Sequence, residues 1–567
     1  MWHKRMGALA LVLIGSLALA ACAPSATAPT GEKAAPGTEK ATPGAPKQGG
    51  ILVRSAGSQS FAGTDPGMGQ MSYQVWPYIA LMILKTEPDT FNIVGDGVES
   101  WKWSDNGLEL TLNVRKGVKF PNVPPTNGRE VEAKDVVYSL KTITGQLYPE
   151  LPSVRFPRKS NLDEMVDAVA VDKYTVKVTL SKPSSTFLSG LSEYRSAMIL
   201  PDGLRESFGD IQSLAAPSVE KYISAGPFVM TKFVQQTEAK YQRNPDFWKK
   251  GQPYLDGLHE IWIPDRSTEM AAFIAQKVDY ISLQENEERE FVTRSRKDAV
   301  ITNYPPPSCW YRVAFNLTKK PFDDVRVRKA IALVINHEEL GKNITGEWQG
   351  KPLWKYPGSL PWVFPESLSQ EELKAMKLYQ GPTPEKIAEA KKLLADAGLS
   401  GGLEMEMISS KSVRSTAGMT IVQAQVEKAL PGVKIKQAPL DNAINLNRAQ
   451  QGDFQTQHYC YIHDATGLSM MKTAYHSTGG RNLARYNNPK MDELLDKASS
   501  ELDDQKRKEL LRQAQLLALE DLPYIPTFHY EAQNATQPWV KGMRLGAASS
   551  EKTWFEDVWF DGAPPKR

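Results

Sequence analysis

Two stretches of the chain alternate apolar and polar residues with a period of two. One is Leu108-Glu109-Leu110-Thr111-Leu112-Asn113-Val114 and the other is Val176-Lys177-Val178-Thr179-Leu180. Successive side chains of a strand point to opposite faces, so each stretch predicts a half-buried β-strand. Ile51-Leu52-Val53 reads as a first strand, followed by a Gly/Ser loop to Asp65-Pro66. Elsewhere apolar residues recur every three to four positions. Residues 135–141 begin a helix with Val136, Val137 and Leu140 on one face. Residues 325–335 predict another, with Ala330, Ile331 and Val334 as its buried stripe. Asp323 or Asp324 caps it, because a carboxylate accepts from the free N–H groups and suits the positive helix end. Thr383-Pro384-Glu385 opens a helix with an N-cap, a first-position Pro and a first-turn acid. Its buried face is Ile387, Ala390, Leu394 and Ala397, and Gly398 ends it. Asn488-Pro489 starts a helix through Leu494, Leu495 and Ala498. Residues 503–520 form the next, with Leu510, Leu511, Ala514, Leu517 and Ala518 apolar. Pro523 stops it, and Tyr524-Ile525-Pro526 leads into a last β segment. Short strands mixed with helices, without a βαβ rhythm or a repeat, predict an α/β or α+β chain of several domains.

The N-terminus has a different pattern. His3, Lys4 and Arg5 form a basic head, and residues 6–21 are apolar apart from Gly7, Gly15 and Ser16. A run of about 16 apolar residues is shorter than the roughly 20 that span a bilayer core. Head, apolar body and small residues describe a secretion signal over 1–21. Leu19-Ala20-Ala21-Cys22 resembles the bacterial lipobox, in which the Cys is diacylated and begins the mature chain. Residues 23–48 contain no aromatic residue and no Val, Ile or Leu. Such a segment cannot bury enough apolar surface to order itself and serves as a flexible tether. The expected arrangement is an anchor, a leash and a body outside the cytoplasm.

Composition narrows what that body does. About 520 residues exceed a single core, so two or three domains are expected. Hydrophobic residues make up 41% and charged residues 23%, and the net charge of +3 is no argument for nucleic acid. The body holds only Cys309 and Cys460, which either pair or stand as buried thiols. His337-Glu338-Glu339-Leu340-Gly341 lacks the second His of a zinc-protease motif. There is no Walker A loop and no CxxC pair. His458 and His463, the close pair of the body, suit a structural or ligand-contacting role better than a metal. No enzyme, metal site or cofactor is predicted.

A series of motifs carries a resemblance. ESWKWSDNGLELTLNVRKGVKF from Glu99 is followed by EAKDVVYSLK from Glu132. Then come Ala225-Gly226-Pro227-Phe228, Tyr241-Gln242-Arg243-Asn244-Pro245-Asp246-Phe247-Trp248 and Gln276-Lys277-Val278-Asp279-Tyr280. Phe315-Asn316, the run from Pro321 to Ala330, Tyr486-Asn487-Asn488-Pro489 and Pro523-Tyr524-Ile525-Pro526 complete the series. In this order, over about residues 49–535, they resemble the family 5 extracellular solute-binding proteins of peptide and nickel ABC importers. Most motif residues read as structural. Gly226-Pro227 turns the chain, the Asp324 to Arg328 charges cap and solvate a helix, and Arg243 and Trp248 fix a loop.

The resemblance implies an α/β, two-lobed periplasmic-binding-protein-like fold of the large, peptide-binder type. Lobe 1 would comprise 49–88, 223–308 and 527–567, with an inserted domain at 89–222. Lobe 2 would comprise 309–526, with the ligand cleft between the lobes. The implied partners are a small solute, foremost a peptide, and an ABC permease and ATPase complex. The protein would be a monomer, bound to the outer face of the cytoplasmic membrane only through lipidated Cys22, with no nucleic-acid partner.

In peptide-binding relatives a lobe 2 strand carries an aromatic residue and an Asp, soon followed by Pro, and the Asp pairs with the peptide's ammonium. The matching stretch is His458-Tyr459-Cys460-Tyr461-Ile462-His463-Asp464-Ala465-Thr466-Gly467. Either His463 or Asp464 falls at the acidic position, and the Pro is missing. An aspartate would hold an ammonium by a charge-assisted bond; a neutral histidine would suit a carboxylate, hydroxyls or a metal chelate. Further cleft candidates are Ser58, Gln59 and Phe61 after the first strand and Tyr194 of the insert. Tyr461, Arg481 and Asn482, and Phe528 and Tyr530 near the last crossing, join them.

Overall fold

The computed structural model describes residues 44–55, 76–87, 92–150, 156, 159–193, 197–208, 218–283, 285–304, 309–462, 466–544 and 554–565. Both alternating stretches are strands, Glu109–Val114 and Thr175–Leu180. They pair antiparallel, with Leu110 opposite Val178 and Leu112 opposite Val176, so the apolar face of one meets that of the other. Val98–Trp103 and Met165–Ala170 flank them in a four-stranded sheet. Each of these buried aliphatic side chains contributes roughly 1.5–3 kcal/mol by leaving water. Helix Ala133–Thr144 buries Val136 and Leu140, and its start is braced by a box of Glu132 and Asp135. Arg129 reaches both Asp135 oxygens, at 2.9 and 2.6 Å.

A seven-stranded sheet has the order Val300–Tyr304, Ala532–Thr536, Tyr280–Leu283, Ile51–Ser55, Gly257–Ile261, Glu238–Arg243 and Phe228–Val234. The strand Ile51–Ser55 lies parallel to both its neighbours, and the outer strands run antiparallel. Leu52, Phe228 and Tyr241 of this sheet share one apolar core with Leu112, Val178 and Phe187 of the four-stranded region. The insert is therefore fused to the first lobe by hydrophobic packing.

A six-stranded sheet forms the second lobe, in the order Trp354–Lys355, Tyr524–Tyr530, Cys309–Phe315, Thr456–Ile462, Leu403–Ser410 and Val433–Leu440. Helices cover both its faces. Val313 and Phe315 enter one core with Ala330, Ile331, Ala390 and Leu394, while Trp310 and Ala314 enter the other with Leu495, Leu511 and Ala514. The helix starts lie where the sequence placed them. Asp324, Thr383, Asn488 and Asp503 each accept from a first-turn backbone N–H. The helix from Val325 ends at Leu333, short of residue 335, with Val334 as C-cap.

The chain passes between the two sheets twice among the described strands, after Val300–Tyr304 and at Glu531 between Tyr524–Tyr530 and Ala532–Thr536. The strand Tyr524–Tyr530 pairs in the second sheet along its length, Tyr530 lying opposite Trp354. The expected lobe boundary after residue 526 falls inside this strand. The architecture is a two-lobed α/β fold hinged on short crossings, the arrangement that permits closure around a ligand.

Candidate functional site

The crossings concentrate aromatic and charged side chains between the sheets. Tyr311 lies opposite both Cys460 and Phe528 in register, so the three occupy one face. The rings of Tyr311 and Phe528 stack 4.4 Å apart, and His458 continues the stack at 5.9 Å from Tyr311. His458 Nδ1 lies 3.0 Å from the Ser415 carbonyl and Nε2 lies 3.2 Å from the Thr527 hydroxyl. The carbonyl only accepts, so Nδ1 carries the proton and Nε2 accepts from Thr527. Burial pushes the ring's pKa down to about 4, against the bond to Ser415, and the imidazole is neutral. Gly418 makes room for it, since a Cβ there would stand 2.3 Å from its Cε1.

Nearer the crossing, Arg414 at the start of helix Val413–Ala429 donates to the Tyr530 hydroxyl at 3.0 Å and lies 4.2 Å over its ring. Glu285 of the first lobe faces the same space. Burial and the neighbouring Glu288 and Glu287 push its carboxyl up, with Arg414 pulling the other way. A small cleft remains here, bounded by Glu285, Arg289, Arg414, Tyr530 and Glu531. Arg289 is buried and bridges the lobes, donating to Gln533 Oε1 and to the Glu347 carbonyl, both at 2.9 Å. Lys355 pairs with Glu531 at 3.3 Å. Charges of both signs thus lie on both sides of the Glu531 crossing, with Arg289, Arg414 and Lys355 each holding a partner within the protein.

A second, larger opening lies between the insert and the second lobe, with Glu164, Thr186 and Ser189 facing Lys472, Thr473 and His476. Among the described residues no group of three or more His, Cys, Asp or Glu is arranged to hold a metal. Also among them, no helix is long and apolar enough to cross a membrane. Cys460 is disulfide-bonded, and Cys309 begins the adjacent strand, opposite Ile462.

The predicted site residues fall in different places. Tyr530 borders the crossing cavity. Phe528 and Asn482 are buried and committed to structure. Phe528 is fully enclosed beneath Tyr311, and Asn482 donates to the carbonyls of His476 and Tyr486 at 3.1 and 2.7 Å. The Arg481 amide ties the same loop to the Thr473 carbonyl at 3.0 Å. Tyr461 is placed by its backbone opposite Trp310. Cys22, Ser58, Gln59, Phe61, Tyr194, His463 and Asp464 lie outside the described residues. Arg243 fixes a loop, as read from its motif, through the carbonyls of Leu255 and Tyr254 at 3.0 and 2.8 Å. The sequence reading missed Glu285, Arg289 and Arg414. The first two sit in the charged run Glu285-Asn286-Glu287-Glu288-Arg289, which reads as a solvated helix face. Only the other lobe's position shows that Arg289 points inward.

The model of bacterial extracellular solute-binding proteins, family 5, matches residues 92–482. Heme-binding protein A of Haemophilus influenzae is 26% identical over 474 residues, spanning 78% of this chain and 80% of that protein. The dipeptide-binding protein of Pseudomonas aeruginosa is 24% identical over 473 residues, 80% and 84% of the two chains. Among solved structures, the ABC transporter-associated periplasmic binding protein DppA from Helicobacter pylori, in complex with the peptide STSA, matches with a TM-score of 0.78. The identity there is 22%, over 91% of this chain and 99% of that one. With the family match extending over most of the body, from the insert to the loop at Asn482, the chain belongs to the bacterial extracellular solute-binding proteins of family 5.

Proposed function

We propose that this protein is the lipid-anchored binding subunit of an ABC importer, capturing an oligopeptide between its lobes and handing it to a permease. Cys22 is the acylated residue, and residues 23–48 join it to the body. Capture breaks no bond. The solute shifts the lobes toward closure only through its greater affinity for the closed state. The observation that carries the reading is the pair of crossings, which leave two sheets hinged about a space bordered by Glu285, Arg414 and Tyr530. Charges of both signs there suit a zwitterion. Asp464, or His463 in its place, is the candidate partner of a peptide's ammonium, and Ser58, Gln59, Phe61 and Tyr194 are further candidate ligand contacts. The dipeptide-binding relative supports a peptide, and the heme-binding relative keeps a chelate or other polar organic solute as the second reading.

The test is native mass spectrometry of the chain purified without refolding, with the released ligand identified after denaturation. A ladder of short peptides supports the proposal, together with about a tenfold or greater loss of peptide affinity in Asp464→Asn. A single chelate or sugar mass replaces it with the second reading. No ligand, and no thermal shift from a peptide library or a panel of chelates and sugars, overturns solute capture of either kind. Lipidation is tested separately: Cys22→Ser releases the protein from the membrane fraction.

A further inference from the structure

Helix Pro489–Ser500 of the second lobe ends without a left-handed turn. Its C-cap residue, Glu501, is extended at φ −81° and ψ 119°, so no left-handed turn folds back over the last carbonyls. The last four carbonyls of a helix lack partners within it. Here donors arrive from the other lobe. Ser185 of the insert donates its backbone N–H to the Ser499 carbonyl at 3.0 Å. Its hydroxyl reaches the carbonyls of Ser499 and Ala498 at 3.2 and 3.3 Å. One residue of the insert thus caps a helix of the second lobe.

A second contact crosses the same seam. Glu164 of the insert, with a side chain only 7% exposed, faces Lys472 of helix Gly467–Tyr475 at 3.8 Å. Between the two contacts the seam stays open as a cleft lined by Thr186, Ser189, Thr473 and His476. The insert's other boundary is unlike this, since it shares a continuous apolar core with the first sheet. An apolar core resists separation in water. Polar contacts around a gap do not, because water replaces each hydrogen bond at small net cost and screens the ion pair. The insert is thus fused on one side and detachable on the other.

We propose that Ser185, with the Glu164–Lys472 pair, is a latch that holds the insert against the second lobe in the closed state and so sets how tightly a solute is retained. This rests on the solute-capture reading above. Apparent affinity scales with the fraction of molecules in the binding-competent state. Loss of the latch lowers that fraction and weakens retention by about tenfold, the effect of one or two net hydrogen bonds.

The experiment is residue-resolved hydrogen exchange on the full chain as purified, without added solute, comparing wild type with Lys472→Met and Glu164→Gln. The Ser185 amide is expected to be protected in the wild type and to exchange about tenfold faster in both variants. The Leu180 amide, bonded to the Leu108 carbonyl at 2.8 Å within the insert, is the folding control and stays unchanged. A Ser185 amide that exchanges like an exposed one in the wild type overturns the latch. So does protection that neither variant alters. A chain that keeps the latch but yields no solute by native mass spectrometry sinks the solute reading alone.

Discussion

The rings of Tyr311 and Phe528 lie 4.4 Å apart and within 11° of parallel, joining the strand that enters the second lobe to the strand that leaves it. Both are buried, Phe528 completely. Phe528→Ala should therefore cost roughly 3–5 kcal/mol, the usual penalty for emptying a buried aromatic site. Urea unfolding would show a lower midpoint with an unchanged slope. A variant as stable as the wild type that has lost solute affinity would instead return Phe528 to the cleft wall.

Gly346 stands at the seam near Arg289, with φ 64° and ψ −150°, a region open essentially to glycine alone. A Cβ there would come within 2.3 Å of the Asn286 side-chain nitrogen across the lobes. Gly346→Ala should destabilise by about 1–3 kcal/mol from backbone strain. Adding Asn286→Ala removes the collision and leaves the strain, so the double variant should recover only part of the loss in thermal unfolding. Full recovery would mean that the backbone there is relaxed.

His458 is buried neutral, with burial lowering its pKa to about 4. The unfolded chain takes up the proton at about 6.5. Between these values the unfolded state binds more protons, so stability is complete above about pH 6.5 and falls as pH drops toward 4, by up to about 3 kcal/mol. His337, lowered to about 3 chiefly by burial, adds a parallel slope. His458→Gln should flatten, without abolishing, the pH dependence of unfolding free energy from pH 6.5 to 4. An unchanged slope would show that the ring is charged when folded.

Glu556 anchors the segment near the C-terminus. It accepts from Lys85 at 2.8 Å and Lys249 at 3.0 Å, and both ammonium groups lie about the Trp554 ring at 5.1 and 4.8 Å. Burial opposes ionisation, but the two lysines outweigh it and hold the carboxyl down at about 2. Its stabilisation is complete above about pH 4.5 and is lost as pH falls through 2. Glu556→Gln leaves two partly buried cations facing an amide and should cost about 3–5 kcal/mol at neutral pH. Calorimetry checks this, and a loss below 1 kcal/mol would mean that the lysines find other partners.

Much of the architecture was legible before any coordinates. Thr383-Pro384, Asn488-Pro489 and the Asp503 start were readable because a cap acts on the backbone within three residues. The alternating stretch at 109–114 was readable because side-chain direction in a strand is set by its neighbours alone. The site was less legible. Arg289 lies in a charged run that suits solvent equally well, and only its distant partners, the Gln533 side chain and the carbonyl of Glu347, explain its burial. Asn482 resembles a ligand contact until the carbonyls of His476 and Tyr486 are placed around it.

By itself the sequence determined the local elements and the order of motifs that identifies the family. Tertiary structure alone decided that the chain changes sheets at Glu531, that Phe528 turns inward, and that Ser185 caps a helix more than 300 residues away. The difference is physical. Caps, turns and alternation are settled by energies within one turn or one strand. The partner of a polar group depends on which distant surface the hydrophobic cores bring beside it, and no short stretch of residues encodes that.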